Sequence, residues 1–174
     1  MVPLNVVLGI FILFFALVGA LRGWAKEVLV LFSVIVALAM RLIFSKYVPF
    51  VRDLLNQPPL TQFYIYSAVL IGMVIAGYAG PAISATLAGK TPREKLQDIL
   101  LGGILGAING YLIVGTLWYF LAQANYGVWG IQPPPAGSGS ALLAARYLPL
   151  VWISDPLLLT IFVLSAVFLV IVLV

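Results

Sequence analysis

Five apolar runs, about Leu4 to Leu21, Glu27 to Phe44, Phe63 to Leu87, Ile99 to Leu121 and Pro156 to Val174, constrain this chain more than any other feature. Each reaches the roughly 17 to 25 residues with which an α-helix crosses a bilayer. In lipid every backbone N–H and C=O must be satisfied within the segment, so such runs are expected to be helical. The sequence therefore predicts an all-α, polytopic transmembrane protein of about five spans with short interfacial helices. Composition agrees, since 64% of the residues are hydrophobic and 8% charged, more apolar surface than a soluble domain can hide.

Nine basic and five acidic side chains give a formal charge of +4, and most stand at the ends of the runs or between them. That placement suits anionic lipid headgroups and gives no footprint for nucleic acid. The chain has no cysteine and no histidine. It therefore offers no disulfide, thiolate, imidazole or His-ligated metal, and the carboxylates form no convincing pair. No phosphate loop, metal spacing or nucleophile elbow is present, so neither a catalytic site nor a cofactor is expected. Ahead of the first run there is no basic n-region, so it is expected to be a retained span.

The first two runs are joined by "RGWAKE", which predicts an antiparallel helical hairpin with Arg22 at one helix C-terminus and Glu27 at the next N-terminus. "SKYVPFVRDLLNQPPLTQ" predicts a short interfacial helix. "AGKTPREKLQDIL" carries a helix start, with Thr91 as N-cap, Pro92 at the first position and Glu94 completing a capping box. Past Ala122, "IQPPPAGSGS" breaks the chain and "ALLAARYLPLVWI" predicts a short helix or wedge along the surface, with Tyr126, Trp129, Tyr147 and Trp152 as interfacial anchors. Arg22, Lys26, Lys90, Arg93 and Lys95 outnumber the basic residues of the other connections by one, which places the first and third connections and the C-terminus in the cytoplasm.

"DILLGGILGAING" holds the most telling pattern. Gly102, Gly106 and Gly110 are four apart and line one helix face, with Gly103 and Ala107 beside it. Gly72, Ala76 and Gly80 repeat the spacing on the third run, and Gly19 and Gly23 at the end of the first. Small residues let helix backbones approach closely in lipid, so the third and fourth helices are expected to pack through facing strips, closed by the first hairpin. Asp98, one turn before Gly102, is either a dipole-stabilised carboxylate or the partner of Arg22 or Lys26 in an ion pair. Asn109, mid-helix, needs a hydrogen-bond partner on a neighbouring helix, or lines a polar path.

Two stretches resemble the colicin V production protein (CvpA) family. "GALRGWAKEVLVLFSVIVAL" resembles its first signature through Arg22, Gly23, Trp24, Lys26 and Glu27, and "DILLGGILGAINGYLIVGTLWYF" its second through Asp98, Gly102, Gly106, Ala107 and Gly110. The resemblance covers about residues 4 to 122, and "SALLAARYLPLV" faintly resembles a stretch near the family's C-terminus. Two departures stand out: Asn109 where the family commonly has Arg, and an added last span. Residues 1–122 then form a four-span domain, 123–155 a Pro/Gly-rich and interfacial connection, and 156–174 an additional helix.

The resemblance implies a non-enzymatic inner-membrane protein linked to colicin V production or export and envelope homeostasis. An accessory or scaffold subunit docking a larger membrane complex through glycine-lined faces is the alternative. A small transporter is least favoured, because the spans lack paired intramembrane charge. The expected partners are the bilayer and either other membrane subunits or a second copy of the chain.

Overall fold

The computed structural model describes residues 2–49, 53, 56–79 and 92–173, with the backbone alone at 92, 93, 172 and 173. Among the described residues, four helices are long and apolar enough to cross a membrane: α1 (Leu4–Arg22), α2 (Trp24–Tyr47), α3 (Pro59–Ala79) and α4 (Pro92–Gln123). Two short helices follow, α5 (Gly139–Arg146) and α6 (Pro149–Trp152), and then α7 (Asp155–Leu173). No strand occurs among the described residues. This is an all-helical, multi-pass membrane protein. α7 opens on Asp155 and is otherwise almost wholly apolar, and its 19 residues equal the length of α1.

α4 is the axis on which the others assemble. Its 32 residues give a rod of about 48 Å, well beyond the roughly 30 Å of bilayer hydrocarbon. α1 makes the most extensive contact with it, α2 and α3 pack on it and on each other, and α7 lies against α2. α1 and α2 touch each other little, so the expected hairpin is splayed, each arm resting on α4. The core between α2, α3 and α4 is built from Val30, Val34, Leu38, Leu70, Ile113 and Phe120. Phe11, Leu13, Phe14 and Leu17 point outward from α1, as lipid-facing side chains do.

The glycine strip of α4 meets α1, where the third helix had been expected. A Cβ at Gly106 would run into the Phe15 carbonyl oxygen and stand 3.0 Å from the Gly19 Cα. One at Gly102 would run into the Gly19 carbonyl oxygen, and one at Gly110 would lie 2.8 Å from the Phe15 Cβ. Gly72 and Ala76 face outward, and a Cβ on Gly72 would touch nothing. α3 makes its close approach through Gly77, whose Cβ would come 3.2 Å from the Val30 Cα of α2. Three-four spacing identifies a strip of small residues but says nothing of which neighbour presents the matching hollow. Gly80 and Thr91 lie outside the described residues, as do residues 50–52 and 54–55 of the stretch expected to form an interfacial helix, whereas Glu94 stands in the first turn of α4.

The segment after α4 is more than a surface wedge. Asn125, Tyr126 and Trp129 adopt positive φ in the turn that leaves the helix. The Ser138 side chain then accepts the Ala141 N–H as N-cap of α5. Ser140 is buried, receives the Asn5 N–H at 3.2 Å and donates to Asn5 Oδ1 at 2.8 Å, which ties α5 to the start of α1. Leu148 and Pro149 are buried, and a Cβ on Gly115 would stand 2.7 Å from the Pro149 ring. Of the expected anchors, Trp129 is exposed, Tyr126 accepts from Trp118 Nε1 at 3.2 Å, Trp152 donates to the Tyr111 hydroxyl at 2.8 Å, and that hydroxyl donates to the Tyr147 carbonyl.

Candidate functional site: a buried polar junction of four helices

α1 and α2 share a single cap residue. Gly23 has φ of 85°, a conformation open to glycine and strained for other residues, and its N–H closes α1 on the Gly19 carbonyl at 2.9 Å. This abrupt turn brings Arg22, in the last turn of α1, beside Glu27, in the first turn of α2. Each charge complements its own helix dipole. A Cβ on Gly23 would also stand 2.6 Å from the Asp98 carboxylate, so the turn and the approach of α4 require the same glycine.

Glu27 has no exposed surface, yet both carboxylate oxygens are engaged. Oε1 receives Arg22 Nη1 at 3.1 Å, and Oε2 receives Asn109 Nδ2 from α4 at 2.8 Å. The same amide nitrogen donates to the Glu27 carbonyl at 3.0 Å, so its two hydrogens serve two acceptors of one residue. Arg22 Nη2 donates to the Tyr78 carbonyl of α3 at 3.1 Å, and the guanidinium lies over the Tyr78 ring, 4.3 Å from its centroid. All four spans thus meet at the Arg22–Glu27 pair.

Burial of a carboxylate is tolerable only where pairing and hydrogen bonds replace its water, and here both are supplied. Asn109 is also fully buried, and its Oδ1 has no hydrogen-bond partner among the described residues. With its oxygens occupied and no exposed face, Glu27 is arranged to join helices and presents no surface to a substrate.

Asp98 takes part in the junction through a backbone contact. Its Oδ1 accepts the Trp24 N–H at 3.2 Å, so α4 lends a carboxylate to the first turn of α2, where a helix leaves N–H groups without intrahelical partners. Arg22 takes Glu27 as its partner instead. Lys26 is half-buried, with no ion pair given to it among the described residues. Ala107 is half-buried beside the strip.

Sequence reasoning placed Glu27 as a dipole complement and as part of the first family signature, without a partner for its charge, and overlooked Tyr78, Gly77 and Gly115. A signal for Glu27 was present: at helical spacing it falls on one face with Val30, Val34 and Leu38, all buried. An acid on a buried stripe requires a partner, and Asn109 is the amide that reaches it.

The comparisons with known proteins agree with this architecture. The family model for colicin V production protein matches residues 4–143, taking in the four spans, the whole junction and the start of α5. The colicin V production protein homolog of Haemophilus influenzae is 32% identical over 120 residues, covering 67% of this chain and 70% of that one. No solved structure matches the chain. With a four-helix membrane unit tied at Arg22, Glu27 and Asn109, and a match across that whole unit, this chain belongs to the colicin V production protein family.

Proposed function

We propose that the chain is an inner-membrane protein that supports colicin V production or export and envelope homeostasis, acting as a structural membrane unit without catalysis. The observation that carries this is the junction itself. The buried charged side chain at the meeting point of the four spans is consumed in joining them, with Arg22 and Asn109 on its two oxygens. A bacterial strain that carries a colicin V system but lacks its own production protein provides the test. Expression of this chain should restore secreted colicin activity, and the Glu27→Ala variant should not. Wild-type chain present in the inner membrane without restored activity contradicts the proposal.

A second function, as an accessory subunit of a larger membrane complex, is favoured by the outward face of α3. Gly72 and Ala76 are exposed there, and the space over Gly72 is open. Close backbone approach by a partner helix is what such a face permits. Recovery with stoichiometric partners in mild detergent, reduced by Gly72→Leu, supports this role, and recovery as a lone monomer or homodimer contradicts it.

A further inference from the structure

Away from the junction, α2 carries a second arginine inside its apolar length. Arg41 stands roughly 9 Å before the C-terminal end of the helix at Tyr47, by the 1.5 Å rise per residue. Its guanidinium lies over the rings of Tyr66 and Phe120, 5.1 and 5.5 Å from their centroids, and no ion pair is formed by it among the described residues. Aromatic faces attract a cation but do not neutralise it. An arginine this close to the end of a span can carry its guanidinium along its stem to the headgroup level, where lipid phosphates lie.

Arg41 lines two adjoining spaces. The larger, between α2 and α3, is a cavity of about 410 Å³ walled by apolar side chains such as Leu38, Ile65, Val69 and Leu70. The smaller, of about 230 Å³, is more polar and includes Gln62 and Gln123. The larger is well beyond a packing defect and within the range of ligand pockets. Asp53, exposed, also lines it, and among the described residues no ion pair joins it to Arg41. Among the described residues, this apolar slot thus carries one positive and one negative group with no ion pair between them.

We propose that this slot binds one phospholipid with a phosphate and a primary ammonium in its headgroup, of the phosphatidylethanolamine type. The phosphodiester sits on the Arg41 guanidinium, which matches phosphate oxygens through paired N–H donors. The ammonium reaches Asp53, and an acyl chain fills the apolar space between α2 and α3. The opposite charges favour this headgroup over a purely anionic one, which Asp53 repels. They favour it also over a quaternary ammonium, which has no N–H for the carboxylate.

The test is native mass spectrometry of the delipidated full-length chain, incubated separately with phosphatidylethanolamine, phosphatidylglycerol and phosphatidylcholine of identical acyl chains. The expected result is a single retained phosphatidylethanolamine, with the other two retained several-fold less. Arg41→Gln should weaken retention about tenfold, as loss of a charge-assisted contact does, while Arg41→Lys keeps part of it. Asp53→Asn, at an exposed position, should abolish the preference among headgroups and reads the proposal even if Arg41→Gln fails to fold. Equal retention of all three lipids by the wild type, a preference for phosphatidylglycerol, or an unchanged preference in Asp53→Asn overturns it.

Discussion

Replacing Glu27 by alanine should remove about 3–5 kcal/mol of stability, the usual consequence of deleting one partner of a buried ion pair. The loss has two sources in this chain. Arg22 keeps its charge with its carboxylate gone, and Asn109 Nδ2 loses the acceptor it holds at 2.8 Å. Thermal unfolding of the detergent-solubilised protein, together with yield in the membrane fraction, measures the effect. The double change Glu27→Leu with Arg22→Met should recover the part of the loss that comes from the uncompensated charge, while the part due to Asn109 remains. If Glu27→Ala unfolds within a degree or two of the wild type, the carboxylate does not hold the helices together.

Gly106→Leu is expected to be comparably damaging, for a steric reason. The first side-chain atom would meet the Phe15 carbonyl and the Gly19 Cα, both backbone, which cannot rotate aside. α1 and α4 must then separate along the whole strip, at or above the upper end of the roughly 1–3 kcal/mol of an overpacked core. Association in lipid depends on this close packing, with no hydrophobic gain to replace it. Gly72→Leu, on an open outward face, and Lys95→Ala, at an exposed position, serve as controls and should leave yield and unfolding temperature unchanged. Equal loss in Gly106→Leu and Gly72→Leu would remove the claim that the α4 strip is the one used within the chain.

Much of this is legible in the sequence. The apolar runs locate the helices because length and hydropathy are local properties, and the glycine register of α4 identifies a packing face for the same reason. The partner of that face was not legible. Gly72 and Ala76 carry the same spacing as Gly19 and Gly23, and nothing local to either strip tells that α1 is the helix lying on α4. Asp98 was identified as important, but its acceptor role toward Trp24 depends on the α2 N-terminus lying beside Gly102, a long-range fact. Glu27 was missed as a junction residue because a helix-end acid has a sufficient local explanation. Its place on the buried stripe with Val30 and Val34 was the evidence against stopping there.

The choice of an amide at Asn109 has a physical meaning. The Glu27 carboxylate already takes its positive charge from Arg22. A neutral amide donates to the remaining oxygen and to the Glu27 carbonyl without adding a second charge to a buried site.

The central claim is that the α4 glycine face is filled by α1, and disulfide trapping tests it most directly because the chain has no cysteine of its own. A Cβ on Gly103 would lie 3.6 Å from the Ala20 Cβ, within the separation that a disulfide spans. In isolated membranes, the pair Ala20→Cys with Gly103→Cys should oxidise rapidly and within one chain, while Gly72→Cys with Gly103→Cys should remain reduced. Efficient trapping of the Gly72 pair, with none of the Ala20 pair, would contradict the account.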